Sequence, residues 1–284
     1  MKYEFMKEHR DRHKLESMCK VLKVSRSGYY AWKRRRPSKR QRENMELLTN
    51  IQEIYKQRRK VYGSPRITNE LNEQGIRCGK NRVARIMKEN GIRAYVRKRF
   101  RGRPESRPNE PASPNLLITG KKYNRVWASD ITYIYTVDGW LYVSAIMDIG
   151  TRKIIGLSMK NRLTQELTTD ALVQAVKRQR PGEGVIHHSD RGKQYASYAY
   201  KELLKRYGLQ SSMSRSGNCY DNAHIESFWS TLKKELVYGE KYKTRRDARL
   251  SIFEYIEVFY NRIRKHSALD YRSPEQFGMQ LNAT

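Results

Sequence analysis

Four of the chain's eight prolines, Pro104, Pro108, Pro111 and Pro114, fall within eleven residues. No helix or central strand runs through such a spacing, because each proline removes a backbone donor and restrains the residue before it. The 284 residues are therefore expected to divide into two folding units joined by a linker over 94–122. The linker opens on Arg97-Lys98-Arg99-Phe100-Arg101-Gly102-Arg103, where Arg97, Arg99 and Arg101 are suited to track a phosphate backbone. The two sides of this divide are written in different grammars, helical before it and strand-rich after it.

Residues 1–36 read as a short helix-turn-helix unit. A helix over His13–Leu22 carries Leu15, Met18, Cys19 and Leu22 on one stripe, and Lys23–Val24 is the turn. Ser25 can cap a second helix, to which Tyr29, Tyr30 and Trp32 lend apolar surface. Residues 37–93 form a second helical unit. Leu47, Leu48, Ile51, Ile54 and Tyr55 repeat at helical spacing. Tyr62-Gly63-Ser64-Pro65 then reads as a turn with Ser64 as N-cap and Pro65 at the first helical position, and Gly75 stops that helix. The next helix, about Lys80–Asn90, turns Val83, Ile86 and Met87 inward and Arg82, Arg85 and Lys88 outward. A glycine-containing turn before a basic third helix fits a helix-turn-helix DNA reader. On pattern alone it fits a small bundle with a solvated basic face as well.

Charge bears on that choice. The chain holds 59 Lys and Arg against 29 Asp and Glu, a formal net charge of +30. Residues 1–120 alone carry 32 of the basic and 12 of the acidic residues. Such an excess favours a polyanion partner, since each Lys or Arg that meets a phosphate releases a condensed counterion. A merely basic enzyme is the plain alternative; membrane-surface binding lacks its basic amphipathic helix. No apolar run approaches the ~18–20 residues that span a bilayer, and no secretory pattern opens the chain. Cys19, Cys78 and Cys219 are too scattered for a zinc site and odd in number. The expectation is a soluble cytoplasmic protein, associated with the nucleoid through DNA.

After Tyr123 strands appear over Val126–Thr136, Leu141–Ile149 and Lys153–Met159, with Val137-Asp138-Gly139 as a hairpin signal. A helix over Thr164–Arg178, a short strand Gly184–His188, a helix near Ala196–Tyr207, a strand Gln210–Met213 and a helix Asp221–Val237 follow. A last helix, about Thr244–Arg264, buries Leu250, Phe253, Tyr255, Ile256 and Phe259. This order describes an α/β fold with a mixed sheet and helices on both faces. The core is taken as 123–240 and a C-terminal helical extension as 241–284.

Three acids stand out by their surroundings. Asp130 interrupts the strand string Trp127-Ala128-Ser129-Asp130-Ile131-Thr132-Tyr133, where an unpaired buried carboxylate is costly. Asp190 follows the strand ending His187-His188-Ser189, at the kind of place where α/β sites gather. Glu226 borders the apolar stripe Ile225, Trp229, Leu232, Leu236, with Lys233 two turns on along the same face. Each has a plain structural alternative: a buried pair for either Asp, a surface position for the Glu. Asp148 reads as structural. His187, His188 and His224 lack the partners for a tetrahedral zinc set, and His188 is read as a supporting or phosphate-contacting residue. The loop Ser214–Asn218, with Arg215 and Gly217, reads as a DNA-contacting or simply flexible segment.

Together these residues resemble the D-D-(35)-E signature of the integrase/transposase superfamily, 35 residues separating Asp190 from Glu226. The string His188-Ser189-Asp190-Arg191-Gly192-Lys193-Gln194-Tyr195 is similar to the second-Asp motif of bacterial transposases of the insertion-sequence-three family. Gly217-Asn218-Cys219-Tyr220-Asp221-Asn222-Ala223 through Glu226 and Leu232-Lys233 resembles its Glu motif. Tyr260-Asn261 with Arg264, His266, Leu269, Tyr271, Ser273 and Pro274 resembles its C-terminal string, and Tyr62-Gly63-Ser64-Pro65-Arg66-Ile67 its internal helix-turn-helix. The likeness spans roughly residues 14–277.

The resemblance implies a ribonuclease-H-like mixed five-stranded sheet with flanking helices, preceded by all-α DNA-binding segments. It implies a DNA transposase acting at terminal inverted repeats, with Asp130, Asp190 and Glu226 as catalytic and metal-holding residues. Two Mg²⁺ ions per site are expected, with Mn²⁺ as a substitute, and Lys233 on the terminal phosphates. The implied partners are double-stranded DNA, further copies of the chain on paired ends, and an upstream-frame protein of the same element, this chain being the downstream frame. Two rivals remain: a nuclease or resolvase of the same fold that cuts without joining, and a non-catalytic DNA-binding regulator.

Overall fold

Helical and strand-bearing halves meet along one continuous core. A computed structural model describes residues 2–95, 113–116, 126–214 and 222–283; Arg97, Arg99, Arg101 and Arg215, and with them Gly217 and Cys219, lie outside the described residues. The first half contains α1 (Lys2–Glu8), α2 (Leu15–Leu22), α3 (Arg26–Arg34), α4 (Lys39–Gln57), α5 (Ser64–Glu73) and α6 (Lys80–Glu89). Helix α1 has too few apolar residues to show a stripe, yet Met6 is fully buried against Met18, Cys19 and Tyr29. Between α2 and α3, Lys23 takes the left-handed conformation (φ 51°) and the Ser25 hydroxyl accepts the Gly28 N–H at 3.0 Å, starting α3. At α5 the expected cap moves by one residue. Gly63 holds the N-cap position, and Ser64 is the first helical residue, its carbonyl accepting the Thr68 hydroxyl at 2.7 Å.

The second half opens with the antiparallel strands β1 (Val126–Thr136), β2 (Gly139–Asp148) and β3 (Ile154–Lys160). After α7 (Gln165–Gln179) comes β4 (Ile186–Ser189), parallel to β1; after α8 (Lys193–Ala196) and α9 (Tyr198–Arg206) comes β5 (Gln210–Met213), parallel to β4. The strand order is β3-β2-β1-β4-β5, the ribonuclease-H-like mixed sheet that the resemblance implies. The helix expected near Ala196–Tyr207 is α9, started by the Ser197 hydroxyl, which accepts the Tyr200 N–H, and the short α8 precedes it. Helices α10 (Ala223–Glu235), α11 (Arg245–Glu254) and α12 (Pro274–Ala283) complete the chain. The long helix expected over Thr244–Arg264 is α11 followed by a π-helical turn, Tyr255–Tyr260.

One sheet face packs Trp127, Ile146 and Ile155 against Leu172 of α7, Tyr195 of α8 and Leu204 of α9. The other packs Ala128, Ile134, Leu141 and Val143 against α10, α11 and the π-helical turn, and this cluster runs on into Leu47, Ile51, Ile67 and Val83 of α4–α6. Both outer strands have covered edges. The Asn261 side chain accepts the Ile154 N–H and donates to the Ile154 carbonyl, 2.9 Å each, as an added strand would. Beside β5, the Leu116 N–H donates to the Ser212 hydroxyl at 3.0 Å, so this end of the proline-rich linker lies along the sheet.

Candidate active site

Parallel pairing of β1 and β4 ends at Ser129 opposite Ser189. Asp130 and Asp190 come next on each strand and so stand side by side. Side chains alternate along β1; Ala128 and Ile134 pack with Ile225, Phe228 and Trp229 of α10, and Asp130 between them faces the same helix. Glu226 lies in the first turn of α10, and the Asn222 amide just before that helix donates to the Ser129 carbonyl at 3.4 Å. Backbone donors orient both aspartates: the Ile131 N–H reaches Asp130 Oδ1 at 2.8 Å, and the Gly192 N–H reaches Asp190 Oδ1 at 2.9 Å. A Cβ on Gly192 would stand 2.9 Å from that same oxygen, so a larger residue there would shift the Asp190 carboxyl.

Electrostatically the three acids form one group. Burial pushes the Asp130 carboxyl up to about 8, the charge of Asp190 adds to this and that of Glu226 adds less. The Ile131 N–H and the Trp229 indole pull the other way; the indole nitrogen is buried without an acceptor at bonding geometry, so its pull is the weaker influence. Asp190 is raised by the desolvating protein around its carboxyl, although the residue opens to solvent, and Gly192 opposes the rise. Glu226 is raised by burial and by Asp190. Asp190 thus raises both of the others.

Among the described residues no three His, Cys, Asp or Glu side chains stand close enough together to ligate one metal ion. The triad meets through charge, not around a point. By kind the donors fit a hard divalent cation: all are carboxylates, and like charges crowded at one sheet end are what such a cation offsets. They do not fit zinc. His187 is buried against Tyr200, its Nε2 3.1 Å from the tyrosine hydroxyl.

Lys233, half-buried and off the apolar stripe, holds its ammonium 5.6 Å from the Tyr133 ring centroid. On α6, Arg85 and Lys88 are exposed. Arg82 is half-buried, donating to Asn44 at 2.9 Å and to Glu43 at 3.3 Å, which ties it to α4. A correction concerns His188. It is fully buried, Nδ1 at 2.9 Å from the Ser212 hydroxyl and Nε2 at 3.1 Å from that of Ser214, so it braces β4 against β5 and offers no surface to a phosphate. Asp148 accepts the Thr151 N–H at 2.9 Å and shapes the turn after β2.

Sequence reasoning passed over Glu235 at the far end of α10. Its carboxylate accepts Arg264 Nε at 2.8 Å and Nη2 at 2.7 Å, and the Tyr255 hydroxyl at 2.6 Å, with Arg66 of α5 at 3.9 Å. An acid in a helix's last turn opposes the helix dipole, and that was the available sign of an outside partner.

Family models of the integrase core domain match residues 120–219 and 207–274, and a model of an HTH-like domain matches 41–100. With the sheet and its acidic corner they define an enzyme of the polynucleotidyl-transferase class. The chain is 40% identical over 282 residues to the transposase InsF for insertion sequence IS3A of Escherichia coli strain K12, covering 98% of each. It is 45% identical over 263 residues to an uncharacterized 31 kDa protein of insertion element IS600 of Shigella sonnei, 92% of this chain and 97% of that one. It belongs to the IS3 family of insertion-sequence transposases. Among solved structures it is similar to a simian T-cell lymphotropic virus intasome (TM-score 0.46, 14% identity, 74% of this chain and 69% of that one). It is similar also to the HTLV-2 integrase catalytic core domain in complex with magnesium (TM-score 0.41, 15% identity, 55% and 96%).

Proposed function

We propose that this transposase cuts DNA at the terminal inverted repeats of its insertion sequence and joins the freed ends to a target, with Asp130, Asp190 and Glu226 as catalytic carboxylates. The observation that carries this reading is the placement of Asp130 and Asp190 side by side where β1 and β4 stop pairing, with Asp130 facing the helix whose first turn carries Glu226. Two Mg²⁺ ions, or Mn²⁺ in their place, held by these carboxylates would supply activation of the attacking oxygen and charge relief at the departing 3′ oxygen.

The chain's own residues do the rest. The Ile131 and Gly192 N–H groups fix the two aspartates, and Trp229 walls off Asp130 from water. Lys233, two turns beyond Glu226, takes the phosphates beside the cut. Arg85 and Lys88 on α6 meet the duplex, joined by Arg97, Arg99, Arg101 and Arg215 of the basic segments. Arg82, tied to α4, steadies that helix. The nucleophile is water for cleavage and a DNA 3′-OH for joining, so the in-line displacement needs no covalent enzyme–DNA intermediate. Copies of the chain work together on paired ends.

Labelled duplexes carrying the element's ends test this with Mg²⁺ present. Joined products are expected, and cutting without joining would leave the nuclease reading. Asp190→Asn should abolish cutting while duplex binding persists. Cutting by that variant at the wild-type rate would overturn the carboxylate assignment.

A further inference from the structure

Past the acidic corner, β1 and β2 run on as a two-stranded tip, one face of which packs Ile134 and Leu141 against α11. Strand β4 accompanies β1 only to Ser129, and on the sheet face opposite α10 the core stops near Ile146. On that face Tyr133 pairs with Tyr142 and Tyr135 with Trp140. The Trp140 ring meets Tyr133 and Tyr135 edge to face, each at 5.3 Å between centroids. Tyr133, Tyr135 and Trp140 are 44%, 65% and 46% exposed, so three rings joined through Trp140 face water, with no helix over them among the described residues. An apolar patch of this kind is a contact surface.

The rim says what kind of contact. Lys233, on the helix that carries Glu226, stands over Tyr133. Arg245 Nε donates to the Trp140 carbonyl at 3.1 Å, and its backbone N–H donates to the Asp138 carboxylate at 3.2 Å, occupying the acid at the hairpin. Aromatic faces edged by cations suit the π-face and phosphate of a nucleotide. Tyr133 lies three strand positions from Asp130, about 10 Å or roughly three stacked nucleotides, on the opposite sheet face. Lys233 of α10 reaches the Tyr133 ring between the two faces.

We propose that Tyr133, Tyr135 and Trp140 form a stacking platform for an unpaired nucleobase of the DNA strand engaged at the acidic corner. The proposal rests on the transposase reading and extends it: the enzyme holds the strand beside the cut by a base, not by phosphates alone. Stacking tolerates any base, so the platform recognises single-strandedness and not sequence.

The test uses the full chain in EDTA, so that no cutting intervenes, with a blunt duplex and the same duplex bearing a five-nucleotide single-stranded tail that contains 2-aminopurine. Wild type is expected to bind the tailed duplex more tightly and to quench the 2-aminopurine. Trp140→Ala should lower affinity for the tailed duplex about tenfold, leave the blunt duplex unchanged and abolish the quenching, and Trp140→Phe should restore it. Tyr135→Ala, at the most exposed ring, gives the same pattern should Trp140→Ala fold poorly. Equal affinity of wild type for both duplexes, or equal loss on both in Trp140→Ala, overturns the platform. So does a loss of self-association with DNA binding intact, which would make the rings a protein interface. Failure of the carboxylate reading shows separately, as Mg²⁺-dependent cutting that survives Asp190→Asn.

Discussion

Helix α10 carries charge at both ends and treats it in opposite ways. At its start Glu226 joins Asp130 and Asp190, where burial raises all three carboxyls and Asp190 raises the other two, opposed by the Ile131 and Gly192 N–H groups and the Trp229 indole. At its last residue Glu235 is met by Arg264 through two hydrogen bonds, by Tyr255 through a third, and by Arg66 at longer range. Arg66 is held below the usual guanidinium range by burial first and Arg264 second, so this clasp carries a second cation close to the first. Charge that is matched holds a fold in register; charge left unmatched is available to a substrate or an ion. One helix thereby ties the acidic corner to the helical unit, with α5 and the C-terminal segment gripping its far end.

Substitutions at the two ends should separate activity from stability. Asp190→Asn is expected to cost about 10⁴-fold in cutting, about 5 kcal/mol of barrier, with no loss of metal-free stability, because a like charge is removed. Glu235→Gln should leave the cutting rate of the folded protein unchanged but lose about 4 kcal/mol in urea unfolding, since Arg264 stays buried without its anion. Arg66→Leu should cost far less. If Glu235→Gln unfolds at the wild-type urea concentration, the contrast between the two ends collapses.

Acidification tests the clasp from another side. Burial first, then Arg264 and Arg66, brings His266 down to about 3, and burial does the same for His187. Between that value and the unfolded value of 6.5, the unfolded chain binds a proton that the fold refuses, so each imidazole's contribution to stability rises with pH across this window, against the opposite contribution of the raised Asp130 carboxyl. Going from pH 7 to pH 5 should therefore cost about 2 kcal/mol for each imidazole. His266→Asn should flatten the profile by one imidazole's share, and an unchanged slope would remove His266 from the account. The smallest effect is expected at Lys233→Ala. DNA affinity should fall about tenfold and its salt dependence weaken by one phosphate contact, with unfolding free energy within ~0.5 kcal/mol of wild type.

Much of this was written locally in the chain. The hairpin signal before Gly139, the alternation of β1, and the apolar stripe of α10 fix elements by short-range pattern, and their observed bounds lie close to those read from sequence. Pairing is another matter. That Asp130 and Asp190 come side by side depends on β4 aligning with β1, which no local spacing encodes. His188 went astray for the same reason: a histidine before an acid in a strand looks solvent-facing until β5 closes over it and supplies two serine hydroxyls. Glu235 was hidden because its partners come from α5 and from the segment after the π-helical turn, 169 and 29 residues away. Helix α1 was missed because it is made by packing against α2 and α3, not by its own periodicity.

The core that runs from α4–α6 across α10 to the sheet gives the protein a built-in ruler. A helical unit with its own separate core would pivot on its linker, and the separation between the base pairs it grips and the bond cut would vary from one encounter to the next. With Tyr62 buried and its hydroxyl accepting the Lys265 N–H at 2.8 Å, the helical unit is held against the C-terminal segment, and under the proposed function that separation would be calibrated by the protein. Every base pair inserted between the two would carry the target bond about 3.4 Å along and about 35° around the duplex, out of phase with the blade.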